Sequence, residues 1–203
     1  MSYLSTSSIC KVKKPMSYIN IFSSNKKYDI IYADPPWKYN QRANTGKFRG
    51  GAFMHYKLLN TDAICNLPVN KLTQEHAALF LWTTFPHLSS GLKVMEAWGF
   101  SYKTCGFVWA KLNKVSPSLF FGVGYYTKSN AEVCLLGIKG KMKPVDNRVS
   151  SLILSPLRQH SQKPHEARDR IVQLFGNRTR IELFARTLTE GWDIWGMELV
   201  NNK

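Results

Sequence analysis

One run in this chain combines residue types able to do chemistry: Asp34-Pro35-Pro36-Trp37, placed directly after the apolar segment Tyr28–Ala33. Proline fixes φ and has no N–H, so two in succession leave a stiff segment whose carbonyls a β-ladder does not claim. A carboxylate beside an immobile carbonyl offers two acceptors to one amino group, and the adjacent indole offers a flat face for a ring. That set suits the exocyclic NH2 of a nucleobase. Such a nitrogen is a poor nucleophile because its lone pair is delocalised into the ring. Accepting both hydrogens favours a pyramidal nitrogen, and fixed geometry supplies much of the remaining acceleration for in-line methyl transfer. No strong base is needed, since the proton becomes acidic once the methyl has arrived. The plainer reading is a proline-stiffened turn with an aspartate cap; its position after a buried strand favours the chemical one.

Charge points the same way. Twenty-eight Lys and Arg against thirteen Asp and Glu leave +15, with pI near 9.8. A domain this basic meets a polyanion, and nucleic acid is the first candidate. The basic residues gather in the acid-free stretch 38–57 (Lys38, Arg42, Lys47, Arg49, Lys57) and in 139–160, where five cations face only Asp146. Both read as long surface loops, where function concentrates on α/β scaffolds. A third basic segment, 1–27, reads as an N-terminal arm ahead of one catalytic domain over 28–203. No apolar run is long enough to cross a membrane. Cys10, Cys65, Cys105 and Cys134 form no CxxC pair, so no metal site is expected and a reduced compartment fits.

These loops need a frame. Apolar, β-branched runs bounded by turn residues predict strands at 28–33, 78–83, 104–110, 132–138, 180–185 and 192–197. Helical spacing predicts a short helix at 62–67, a second over Leu88, Leu92 and Met95 ending near Gly99, and a third between Pro164 and Gly176. Strands alternating with helices imply an α/β sandwich around a largely parallel sheet. The lone Gly122-Val123-Gly124 lies on no strand–helix turn and reads as loop.

The order of motifs resembles the MT-A-seventy family of adenine-N6 methyltransferases. Beyond DPPW, the matching blocks are His55-Tyr56, Leu67-Pro68-Val69, Phe80-Leu81-Trp82, Trp98-Gly99-Phe100 and Phe107-Val108-Trp109-Ala110-Lys111. They continue with Asn130-Ala131-Glu132, Cys134-Leu135-Leu136, His160-Ser161-Gln162-Lys163-Pro164, Arg180–Arg186 and Gly191-Trp192-Asp193-Ile194-Trp195-Gly196. The resemblance spans about residues 28 to 198. It implies a Rossmann-like S-adenosylmethionine-dependent methyltransferase in circularly permuted order, with the methyl-acceptor half first.

The resemblance also assigns roles. Asp34 accepts from the target adenine beside the methionine end of S-adenosylmethionine, Pro35 supplies the second acceptor, Pro36 stiffens the turn and Trp37 stacks. Tyr56 is the gate aromatic. Ser161, Lys163, Glu182, Phe184, Arg186 and Glu198 lie about the cofactor, while Lys111 and Glu132 look like target-side contacts. Apart from the resemblance, the charge of the 38–57 loop makes Arg42, Lys47 and Arg49 candidate nucleic-acid contacts. Taken singly, Glu182 or Arg186 reads as a solvated charge and Tyr56 as core; the aromatic blocks around Trp82 and Trp109 read as core strands alone. The chain departs from the family at Met197, where many relatives carry Asn, and at Leu188 and Thr189, where eukaryotic members carry His-Asn. It also lacks the glycine-rich FxGxG turn of other methyltransferases.

The expectation is methylation of adenine N6 in DNA, with the base flipped out or already unpaired. RNA methylation and a non-catalytic nucleic-acid-binding subunit are the alternatives. The resemblance implies a homo- or heterodimer as the further partner, and a bacterial or phage-infected cytoplasm, or a nucleus in a eukaryote.

Overall fold

Strand β1, Tyr28–Ala33, is covered on both faces: Ile31 and Ala33 enter one core, Ile30 and Tyr32 the other. A strand buried on both sides needs a layer on each. The computed structural model of the chain describes residues 17–38, 58–124, 126–158 and 162–196, and supplies both layers. Helices α1 (Thr61–Cys65) and α2 (Leu88–Ala97) cover the first face with Ile64, Val94 and Met95. Helix α3 (His165–Phe175) covers the second with Ala167, Ile171 and Phe175. It begins after Pro164 and ends at Gly176, whose φ of 76° suits a glycine stop.

The remaining strands are β2 (Thr73–Thr83), β3 (Ser101–Leu112), β4 (Ala131–Lys139), β5 (Leu152–Pro156), β6 (Arg180–Leu183) and β7 (Asp193–Trp195). They form one sheet in the order β5-β3-β4-β2-β1-β6-β7. This is the Rossmann-like α/β arrangement expected, with one difference. The sheet is mixed, because β4 runs antiparallel to both β2 and β3, while the other four pairings are parallel. β3 and β4 are joined directly, without a crossover helix, and such a connection returns the chain antiparallel.

Two stretches differ from their reading as loop or arm. Residues 152–156, inside the expected 139–160 loop, form edge strand β5, parallel to β3. Only Ile153 and Ser155 of that run are buried, so its apolar signal is weak. Residues 17–27 are docked rather than free: Ile194 donates its N–H to the Ser17 carbonyl at 3.0 Å, and Ile19 donates to the Ile194 carbonyl at 2.9 Å. Ile21 is buried beneath them. The 38–57 loop lies outside the described residues beyond Lys38.

Central β1 sits between parallel β2 and β6. The chain reaches β2 by way of α1 on one face and β6 by way of α3 on the other, so a crevice opens at the carboxyl ends of β1 and β6. Open α/β sheets bind their ligands at such a point. Beyond it, Gly196 passes against the turn after β6; a Cβ there would clash with the Ala185 carbonyl oxygen and stand 2.8 Å from its nitrogen. Gly196→Ala is therefore expected to cost more than about 2 kcal/mol. Gly99→Ala, with φ of 82° but nothing within 4 Å, should cost about 1 kcal/mol of backbone strain. Urea midpoints measure both, and a wild-type midpoint for Gly196→Ala would show that approach to be slack.

Candidate active site

Alternation along the strands sends one set of side chains to the α3 side of the sheet, near one end. Asp34 continues the Ile30, Tyr32 face beyond β1. Lys111 continues Phe107 and Trp109 in β3, and Glu132 precedes Cys134 in β4. Glu182 lies between Ile181 and Leu183, which face the opposite core. Lys163 and Arg168 come down from the entry and first turns of α3.

These groups interlock. Lys163 Nζ lies 2.8 Å from Asp34 Oδ1, 2.9 Å from Oδ2 and 3.2 Å from Glu132 Oε2. Lys111 Nζ holds the other Glu132 oxygen at 2.6 Å. None of the four side chains is more than 15% exposed, so each charge depends on its partners. Burial alone would lower the Lys163 pKa, but Asp34 and Glu132 outweigh it and hold the ammonium above its ordinary range. Burial pushes Glu132 up, and Lys163 with Lys111 overcomes that to hold it below the usual carboxylate range. Beside this group Arg168 grips Glu182 with two bonds, Nε to Oε2 at 2.8 Å and Nη2 to Oε1 at 2.5 Å.

Aromatic rings form the floor. Lys163 Nζ stands 5.8 Å from the Trp82 ring centre, Lys111 Nζ 5.5 Å from that of Trp109, and the Arg168 guanidinium 5.2 Å from that of Tyr32. Trp82 Nε1 donates to Tyr32 Oη at 2.7 Å. Such cation–ring contacts strengthen where water is excluded. Trp82 and Trp109, expected as core alone, thus also support site lysines.

The proline turn corrects the sequence reading in detail. Pro35 and Pro36 carbonyls are not both free: Pro35 O accepts from the Trp37 N–H and Pro36 O from the Leu59 N–H, each at 2.9 Å. A carbonyl has two lone pairs, so Pro35 O retains one. Trp37 does not present an open face either. Its ring stacks on His87 with centres 5.8 Å apart, and its Nε1 donates to the Trp82 carbonyl at 3.0 Å. At 7% exposure it locks the turn to β2. Glu182, expected at the cofactor, is gripped through both oxygens by Arg168.

Phe184 follows β6 with φ of 61°, a conformation costly for a side chain other than glycine. Its ring packs edge-on against Trp195, 5.2 Å between centres. Arg186, half-buried, lies close enough to Lys163 to oppose its charge. Tyr56, Arg42, Lys47, Arg49, Ser161 and Glu198 lie outside the described residues. Arg168 escaped the sequence reading, although a signal existed: it occupies the inward stripe of α3 with Ala167, Ile171 and Phe175, where an unpaired cation is not tolerated.

This cluster sits within the span that the MT-A70 family model matches, residues 28–198. The chain belongs to the MT-A70 family. It is 37% identical over 194 residues to the type II methyltransferase M.MunI of Mycoplasma sp, covering 88% of this chain and 80% of that one. A putative N(6)-adenosine-methyltransferase MT-A70-like protein of Medicago truncatula is 30% identical over 177 residues, 85% of this chain and 26% of its own length. The non-catalytic subunit MTB of an N6-adenosine-methyltransferase in Arabidopsis thaliana is 30% identical over 122 residues, 58% of this chain and 15% of its own.

If Lys163 holds the cluster together, Lys163→Met should destabilise the fold by about 3 kcal/mol near pH 7.5, because two buried carboxylates lose their shared cation. The pH dependence has a defined sign. In the wild type, Glu132's depressed pKa contributes stability above the ordinary carboxylate range, lost as pH falls through the folded value. The raised Lys163 pKa contributes stability below the ordinary lysine range, lost as pH rises through the folded value. In the variant, burial acts on Glu132 with only Lys111 against it, so Glu132 protonates at higher pH than in the wild type and its buried charge is relieved sooner as pH falls. The gap between the two proteins should therefore narrow from pH 7.5 to pH 5 in urea titrations. A gap independent of pH would show that Lys163 acts by packing and not by charge.

Proposed function

We propose that this protein transfers a methyl group from S-adenosylmethionine to the N6 amino group of adenine in DNA. The observation that carries this reading is Asp34, held by both oxygens on Lys163 at the carboxyl end of β1, beside a Pro35 carbonyl with a lone pair to spare. A carboxylate has about four acceptor positions, so Lys163 leaves capacity for an amino group. Asp34 and Pro35 O accept its two hydrogens and set the nitrogen lone pair. The Lys163 ammonium fixes the carboxylate so that no reorganisation is needed as charge develops. The proton released from the methylated nitrogen passes by way of Asp34 to solvent.

S-adenosylmethionine supplies an electrophilic methyl group carried on sulfur. The donor set fits that cofactor: the opposed charges of Asp34, Lys163 and Arg186 match the zwitterionic methionine end. Phe184 and Arg186 on the turn after β6 flank the same crevice, with Ser161 and Glu198 as further candidates.

DNA is favoured by the likeness to M.MunI across most of both chains and by the net charge of +15. A role in a restriction–modification pair follows from that likeness. The names of the plant relatives favour RNA as the second reading. A non-catalytic subunit, suggested by the likeness to MTB, is opposed by the intact Asp34–Lys163 arrangement. A target in a duplex must leave the stack to reach Asp34, whose side chain is only 14% exposed.

Asp34→Ala should lower turnover at least about a thousandfold, as loss of a positioned acceptor does, while the far-UV spectrum stays unchanged. The assay is nucleoside mass analysis after incubation with labelled S-adenosylmethionine and either DNA or RNA. N6-methyldeoxyadenosine from the wild type, absent from the variant, is the expected result. Product from RNA alone would move the substrate, and retained turnover in the variant would remove Asp34 from the reaction.

A further inference from the structure

In the connection between β3 and β4, the described residues 113–124 and 126–130 pair with each other as a hairpin. Asn113 N–H donates to the Ser118 carbonyl at 2.9 Å, and Phe120 N–H to that of Lys111 at 2.8 Å. Further out, Gly122 and Ser129 exchange two backbone bonds of 3.1 and 3.2 Å. A Cβ on Gly124 would clash with the Thr127 carbonyl, so the two sides of the connection lie close together there.

Despite this order, the hairpin gives its apolar side chains to solvent. Val115, Phe121, Val123 and Tyr126 are 99%, 63%, 75% and 103% exposed. Single apolar residues on a surface mean little, but with Leu119 at 42% there are five on one short projection, and they mark a contact surface. The flanking charge says what kind. Lys114 and Lys128 are exposed on the same hairpin, and no Asp or Glu lies between Leu112 and Ala131. A second copy of a chain carrying +15 would meet like charge there; a polyanion would not.

Its roots fix where it stands. The hairpin leaves β3 next to Lys111 and enters β4 next to Glu132, the pair joined by a 2.6 Å ion bridge beside Lys163 and Asp34. Aromatic and basic residues are thus projected from the rim of the site that must receive a base. Apolar side chains that part base steps, with cations on the neighbouring phosphates, are a recurring means of opening a duplex.

Resting on the adenine reading above, we propose that the 113–130 hairpin is the wedge that opens duplex DNA for this protein. Phe121 and Tyr126 enter the stack at the target position and fill the gap left by the extruded base. Lys114 and Lys128 contact the flanking phosphates. The hairpin does not touch the reacting atoms; it holds open the route by which the base reaches Asp34.

The test compares binding by fluorescence anisotropy to two duplexes alike in sequence and length, one carrying a single abasic position. A ready-made gap relieves the protein of the unstacking cost, so wild type should bind the abasic duplex about tenfold tighter. Phe121→Ala/Tyr126→Ala should reduce that preference to within about twofold and leave the salt slope unchanged, since the lysines remain. Lys114→Gln/Lys128→Gln should weaken both duplexes and lower the salt slope by about two. Both pairs of side chains are exposed, and unchanged thermal midpoints confirm folding. A double alanine variant that keeps the wild-type preference, or loses affinity equally for both duplexes, overturns the wedge. So does a change of sedimenting mass in that variant, which would assign the surface to a second copy. Methyl transfer by wild type is measured on the same DNA. Preference without N6-methyladenine sinks the catalytic reading and leaves the wedge; N6-methyladenine without preference does the reverse.

Discussion

One ammonium group, Lys163 Nζ, is shared between Asp34 and Glu132 in a place nearly closed to water, and much of the surrounding structure exists to make that sharing tolerable. A buried cation costs several kcal/mol unless carboxylates and hydrogen bonds surround it. Two carboxylates on one cation would leave a net negative charge, and Lys111 on the far oxygen of Glu132 cancels it. Each member of this row comes from a different part of the chain: the end of β1, the start of β4, the end of β3 and the approach to α3. The row can form only when the sheet has its final order, so it couples the local chemistry of the proline turn to the topology of the whole domain.

The same constraint explains the aromatic floor. Trp82, Trp109 and Tyr32 bring large ring faces beneath Lys163, Lys111 and Arg168, where water would otherwise be needed to solvate the cations. Trp37 completes the arrangement from the opposite side of the turn: with its ring on His87 and its indole N–H on the Trp82 carbonyl, it ties the position of Asp34 to β2. The stiffness supplied by Pro35 and Pro36 is thereby given a fixed direction as well.

Much of this was legible in the sequence, and the failures have physical causes. The strands could be read because β1, β2 and β4 are apolar, β-branched runs closed by turn residues, and the Asp34 turn follows directly on the first of them. Residues 152–156 were missed because only Ile153 and Ser155 of β5 are buried, and an edge strand lacks the two-sided apolar run that identifies a central one. The sheet is largely parallel as expected, and which strand runs against the rest could not be read because an apolar run says nothing about strand direction. Arg168 and its pairing with Glu182 were missed because pairing across α3 and β6 is a property of packing, although a cation on an apolar stripe is a visible warning. Trp37 was misplaced because a residue beside a reactive group is easily read as a contact, when it can equally be the brace behind it.

The two borders of the sheet have a consequence for the behaviour of the protein in concentrated solution. On one side, the outward carbonyls of Ser150 and Leu152 accept from Arg170 Nη1 at 2.7 and 2.6 Å. On the other, among the described residues, the backbone bonds that β7 makes to the segment before β1 come from Ser17 and Ile19. A guanidinium on the outward carbonyls and a segment already paired to the edge are both obstacles to the addition of a foreign strand. Among the described residues, neither margin offers a long open ladder, and growth from sheet to sheet, which ends in fibres, is discouraged at both limits of the fold.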